Sequence, residues 1–311
     1  MEFFRNPNID FLGKRHLFKY VSFALIAIGI LGVAILGIPF GIDFTGGTEI
    51  ALRLSKPLDI AQVRAVVAQT EFARSEIKTY GAPNQFLIRV QQTKGAGEIA
   101  AKLKEAFQKQ FPDLTVTVLK ADVIGPKVGK ELRTDALIAL ILAVLAILLY
   151  VSLRFEFAFA LGAVLALVHD VIIAFTWAVI AGQLGLISLE VNQSTIAAVL
   201  TVLGFSINDT VVIFDRIREN REIHRGIPLV ELMNMSINQT LSRTVNTSLT
   251  TFLVLLVLTL LGGAVLQGFA FIMLLGIVIG TYSSIYVASA LTIWYIERRK
   301  GQKKVVAATA T

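Results

Sequence analysis

The chain predicts a polytopic α-helical membrane protein with six transmembrane helices and an α+β, ferredoxin-like (βαββαβ) extracytoplasmic domain between the first and second. Three observations predict it. Hydrophobic residues fill 55% of the 311 positions and charged residues only 16%, with the apolar ones gathered into six runs long enough to cross a bilayer. One interval, 39–133, has the composition of a soluble domain instead. Basic residues collect at alternate ends of the runs.

Residues 1–16 form a cytoplasmic N-terminus carrying Arg5, Lys14 and Arg15. The first span, 17–38, has the basic flank of a signal peptide, but it is too long for one and lacks a small-x-small cleavage site, so it reads as an uncleaved anchor. In 39–133, the periplasmic domain, Thr48–Ser55 alternates as a strand. Asp59 can cap a helix whose stripe is Ile60, Val63, Val66 and Val67. Glu76–Tyr80 and Gln85–Gln91 read as a hairpin around 81–84. Glu98–Phe111 is an amphipathic helix and Leu114–Val123 a last strand, which completes the split βαβ order.

The region 134–297 returns to the membrane with five spans, at Ala136–Leu153, Phe157–Ala181, Val191–Phe214, Arg243–Leu261 and Gly268–Trp294. Ile227–Gln239 is mildly amphipathic and reads as a helix lying along the cytoplasmic surface. Arg216, Arg218, Arg221 and Arg225 follow the fourth span, and the cytoplasmic tail 298–311 carries Arg298, Arg299, Lys300, Lys303 and Lys304 before an end that frays from 305. With both termini in the cytoplasm, all these clusters fall on the positive side. That accounts for the +7 net charge without a nucleic-acid partner. The absence of cysteine excludes disulfides and thiol chemistry, and three scattered histidines make no metal site.

The chemistry gathers where acids lie in oil. Asp209, in the fourth span, is costly to insert, so it reads as a proton or ion site. Desolvation and a nearby cation would pull its protonation in opposite directions. Arg243, at the head of the fifth span, is the natural counter-ion, followed by a polar stripe of Asn246, Thr247, Thr250 and Thr251 that suits a wet path or hydroxyl contacts between helices equally well. Asp170 sits too deep in the third span to snorkel and reads as a proton relay or a buried hydrogen-bond anchor, with His169 pointing about 100° away as a structural histidine. Ser194, Thr201 and Asn208 recur every seven residues and face another helix; Gly276 and Gly280, with Ser283 and Ser284 beyond, permit close helix approach. Gly46 and Gly47, after Asp43, suggest a tight turn where the first span leaves the membrane. The turn lacks the Lys-Ser/Thr of a phosphate loop, so energy is expected from an ion gradient and no cofactor is expected.

Four stretches together resemble the SecF branch of the SecD/SecF family of protein-export membrane proteins. They are Asp43–Gly47, Ala121–Gly129, Gly204–Asn220 and Ser236–Thr244, and the likeness covers nearly the whole chain. The resemblance implies membership of the resistance-nodulation-division superfamily, a cytoplasmic (inner) membrane location and no enzymatic activity. It implies a complex with SecD beside the SecYEG channel, with SecA acting upstream on the preprotein and with YajC and YidC as further partners. The proton motive force then completes translocation. It assigns proton transport to Asp209 and Arg243, with Asp170 in the family's His-Asp pair. Asn208, Thr247 and Thr201 are read as supporting polar residues, with membrane lipid around the bundle. The alternatives are a small-solute efflux protein of the same superfamily and a passive scaffold. A domain under 100 residues argues against efflux, and a scaffold needs neither Asp209 nor Arg243.

Overall fold

The computed structural model describes residues 7–73, 75–92 and 95–309. Arg5 and residues 310–311 lie outside them. After a 3₁₀ turn at Leu12–Lys14, helix α1 (Arg15–Leu36) is followed by the short α2 (Ile42–Thr45). A sheet domain follows: β1 (Gly47–Leu54), α3 (Ile60–Ala68), β2 (Glu76–Tyr80), β3 (Ala82–Val90), α4 (Ala96–Gln110) and β4 (Val116–Ile124). Then come α5 (Pro126–Arg154), α6 (Phe157–Gln183), α7 (Gln193–Ile223), α8 (Leu229–Leu261) and α9 (Gly263–Ser283), with a π-helical turn at Ser284–Ala288 leading into α10 (Ser289–Thr309). Six stretches are long and apolar enough to cross a membrane, the sixth running through α9, the π turn and α10.

The sheet order is β2-β3-β1-β4 with every neighbour antiparallel, the arrangement of a ferredoxin-like split βαβ domain. Asp59 caps α3 as expected: its Oδ1 accepts from the Ala61 N–H at 2.8 Å while Gln62 Oε1 accepts from the Asp59 N–H at 3.1 Å. Ile50, Leu52 and Leu54 on β1 and Phe86 and Ile88 on β3 close against Val63, Val66, Leu103 and Phe107 of the two helices. The other face of the sheet has no helix of its own domain. It carries a cross-strand row in which Glu76, Arg89, Glu49 and Asp122 stand side by side on the four strands.

Three expectations need correction. The hairpin turn contracts to Gly81, at φ +73°, and β3 begins at Ala82. Pro83 enters the strand because pairing with β1 starts only at Gln85, so no ladder donor is lost. Ile227–Gln239 is not a separate surface helix, since from Leu229 it is the first third of the continuous α8. Its polar side chains are used: Asn238 Oδ1 accepts from the Ile9 N–H at 2.9 Å, and Asn234 Oδ1 accepts from the Phe11 N–H at 2.9 Å. Asn220 Nδ2 donates to Ser236 Oγ and Gln239 Oε1, both at 2.8 Å, which ties the end of α7 to α8. Finally, the tail expected to fray from 305 continues α10 to Thr309.

Among the spans, α6 is the most enclosed, while α1 and α5 bury little. A Cβ at Gly276 would stand 2.3 Å from Val202 Cγ2, and one at Gly280 3.1 Å from Ser206 Cβ, so α9 lies directly on α7.

Candidate functional site

Asp170 projects from the enclosed α6 and is fully buried. The close approach of α9 to α7 brings two hydroxyls onto it. Ser206 Oγ of α7 donates to Asp170 Oδ2 at 2.5 Å, and Ser283 Oγ of α9 donates to the same oxygen at 2.6 Å. Its other oxygen lies 2.9 Å from His169 Nδ1. The expectation that His169 points away is thus overturned, because the imidazole folds back along the helix to reach its neighbour. His169 Nε2 is buried without a partner among the described residues. The carboxyl therefore joins three spans in one hydrogen-bonded unit. Ser283 is also the last residue of regular α-helix before the π turn, a distortion often found at functional positions.

Asp209 is on the next turn of α7 from Ser206 and is buried at 3% exposure. It too belongs to a small hydroxyl chain: Ser248 Oγ of α8 donates to Asp209 Oδ2 at 3.2 Å, and Thr281 Oγ1 of α9 donates to Ser248 Oγ at 2.6 Å. Arg243 lies five residues, about one and a half turns, before Ser248 on an exposed part of α8 and makes no ion pair with Asp209 among the described residues. Arg216, the other nearby cation, is engaged by Glu219 at 2.7 Å, and Asp215 by Arg154 at 2.5 Å. Asn208 and Thr201 are exposed on the outward side of α7, in line with Ser194. The hydroxyls of Thr201, Thr247, Thr250 and Thr251 bond carbonyls of their own helices, at 2.7 to 3.1 Å. The bundle therefore encloses both acids but leaves Arg243, Asn208 and Thr201 on its outer surface.

The glycine turn is a joint between the sheet domain and the membrane helices. Gly46 has φ +79°, and a Cβ there would lie 2.9 Å from the Pro126 backbone; a Cβ at Gly129 would lie 3.1 Å from the Phe44 carbonyl. The two glycine-bearing stretches hold each other at the entry to and exit from the sheet. Asp43 Oδ2 accepts from the Gln193 N–H at 3.1 Å, at the start of α7, where Asn192 Oδ1 also accepts from the Thr195 N–H at 3.0 Å. Phe40 and Val191 form a parallel bridge beside it. The sheet domain is thereby fastened to the head of the helix that carries Asp209.

Ser206, Ser248, Thr281 and Ser283 were not legible as partners of the acids. Small hydroxyl residues are ordinary in spans, and only the packing of α9 selects these four.

A bundle of six candidate spans with buried acids on hydroxyl partners, joined through a glycine turn to a soluble sheet, defines a polytopic membrane protein whose sheet domain is tied to the helix that carries one of those acids. The comparisons place it further. The profile described as "Protein export membrane protein SecD/SecF, C-terminal" matches residues 102–298, and that of the "SecD/SecF GG Motif" matches 32–58. The protein translocase subunit SecF of Calditerrivibrio nitroreducens is 42% identical over 94% of this chain and 95% of its own length. The protein translocase subunit SecDF of Thermus thermophilus is 40% identical over 96% of this chain, which spans only 40% of that protein. The crystal structure of SecDF, a translocon-associated membrane protein from Thermus thermophilus, superposes with a TM-score of 0.78 at 39% identity, covering 94% of this chain and 39% of that one. The chain belongs to the SecD/SecF family of protein-export membrane proteins.

Proposed function

We propose that the chain is a SecF-type subunit of the Sec protein translocase. With a SecD partner it uses the proton motive force to complete preprotein translocation, beside SecYEG and after SecA has acted, with YajC and YidC as further associates. It is no enzyme in this reading: it sits in the cytoplasmic membrane with both termini inside and the sheet domain outside. One observation carries the reading. The outer surface of α7 and α8 presents Arg243, Asn208 and Thr201 beside the buried Asp209. A guanidinium left against lipid is costly, so this face calls for a polar partner span. A fused relative supplies the partner's identity: in SecDF the region like this chain is about two fifths of one polypeptide.

In this reading Asp209 loads and releases the proton, Arg243 stabilises its charged form across a water-filled gap, and Asp170 is a second acid on the path. Asn208, Thr201 and Thr247 line the partner-facing side, and Asp43, Gly46 and Gly47 pass the movement to the sheet. One proton falling through 100 mV supplies about 2.3 kcal/mol, enough to bias two packings by about fiftyfold. Efflux of small solutes is disfavoured by the small external domain.

The test is Asp209→Asn in the chain reconstituted with its SecD partner and SecYEG. Gradient-dependent export and proton conduction should be lost while the complex still assembles. Full activity would reject the motor and leave a scaffold.

A further inference from the structure

The charged row on the helix-free face of the sheet meets a residue from the bundle. Glu190, in the loop that leads into α7, places Oε2 2.8 Å from Arg89 Nη1. The same nitrogen is 3.6 Å from Glu76 Oε2, and Arg89 Nε is 2.8 Å from Glu49 Oε2. Two carboxylates, one from the bundle and one from the sheet, are thus drawn onto one guanidinium nitrogen. Glu76 Oε2 is buried and has no hydrogen-bond partner among the described residues. The remaining charges facing the cluster are Lys78 on β2, 2.6 Å from Glu76, and Lys120 on β4, which contacts Glu49 at 3.2 Å and Asp122 at 2.6 Å. Arg133, from α5, stacks on Phe40 at 4.5 Å and joins none of these pairs among the described residues. Four carboxylates therefore face three cations, which leaves one negative charge uncompensated in a partly buried junction.

We propose that Glu190 and Glu76 form a proton-binding site between the sheet domain and the bundle, and that a proton shared by this pair holds the sheet against the head of α7. The proton removes the surplus charge and turns the unpartnered Glu76 oxygen into the acceptor of a carboxyl–carboxylate hydrogen bond. Burial first, and then the neighbouring Glu76, push the Glu190 carboxyl from its ordinary 4.5 up to about 7, against the pull of Lys78 and Arg89. The sign follows. An undocked, solvated Glu190 titrates at its ordinary value, so the docked state binds the proton more tightly. Docking is strongest below about 4.5 and weakens as pH rises to about 7, by up to tenfold per pH unit, beyond which the loss is complete. Binding of the proton stands on this geometry alone. Its use in the export cycle rests on the function proposed above: acid outside would clasp the sheet, and proton depletion would free it.

The chain has no cysteine, so a pair introduced at exposed Thr117 and Leu186 can be spin-labelled cleanly in the full-length protein in lipid nanodiscs. The docked distance should dominate at low pH and give way to longer ones as pH rises through the window. In Glu190→Gln, which cannot ionise, the docked distance should persist at every pH; in Glu76→Gln the midpoint should fall toward the ordinary carboxyl range. A distance distribution in the parent that ignores pH, or a pH midpoint unmoved in both variants, overturns the site. Infrared titration gives a second reading: a protonated-carboxyl band that titrates near neutral pH in the parent and is missing in Glu190→Gln supports it, and its absence from the parent overturns it. The distance measurement does not involve Asp209, and the difference between the parent and Glu190→Gln separates the infrared band of this pair from those of the buried acids in the spans. An active Asp209→Asn protein with an intact Glu190 titration would sink the motor and spare this site; the converse pair of results would do the opposite.

Discussion

Asp170 shows how much a single side chain organises. Two serines from different helices donate to one of its oxygens, and both contacts are sealed from solvent. Replacing Ser206 or Ser283 by Ala should each cost about 1–3 kcal/mol, and the pair should be non-additive because both address the same acceptor. Thermal unfolding in detergent would measure this; additive losses would show that the carboxyl does not couple α7 to α9. The acids and Arg243 were legible because ionisable groups stand out in an apolar run. Glu190 and Arg89 were not, since they lie 101 residues apart and each looks like an ordinary surface charge until the sheet docks. A helical wheel sends His169 away from Asp170 because it shows where side chains leave the backbone, not where a rotamer returns them.

Among elements, the glycine joint makes the sharpest demand. Gly46 combines a left-handed φ with backbone contact to Pro126, so Gly46→Ala should destabilise by about 1–3 kcal/mol. Gly97, on the soluble helix α4 with nothing within 4 Å of its would-be Cβ, is the control, and Gly97→Ala should be neutral or mildly stabilising. Limited proteolysis between α1 and β1 should accelerate in the first variant only. Paired glycines signalled a turn in the sequence; that the turn is clasped by the Gly125–Gly129 stretch was hidden by its distance along the chain. The length of α8 was hidden for a different reason. Its first third is polar because it binds the backbone at Ile9 and Phe11, and polarity alone suggested a surface helix. At 33 residues it is about 50 Å long, more than a bilayer core requires, so that third projects beyond it. Asn238→Leu should therefore loosen the N-terminal segment without unseating the span, seen as faster backbone hydrogen exchange at residues 9–12.

At the scale of the molecule, the sheet domain closes its own core between β1, β3, α3 and α4 and meets the bundle through the joint, the Arg89–Glu190 contact and the Phe40–Val191 bridge. A chain lacking 48–122 should still insert with its spans intact, yet fail to assist export in the reconstituted translocase. Unimpaired export by that deletion would remove the sheet from the mechanism. The split βαβ order and six spans were readable because period-two and apolar runs are local signals. The stripe of Ser194, Thr201 and Asn208 was readable by its spacing, but it faces outward and not onto another helix of this chain, because orientation depends on which neighbours α6 and α9 occupy.

The π turn at Ser284–Ala288 has a mechanical consequence. A wide turn accommodates one surplus residue within an otherwise regular helix. Were it to slip one position toward α9, Ser283 would swing by about 100° and leave the acid of α6, while everything beyond Ser289 kept its heading. Removing a single residue from the turn should leave one uninterrupted α-helix through the last span and fix Ser283 in one heading.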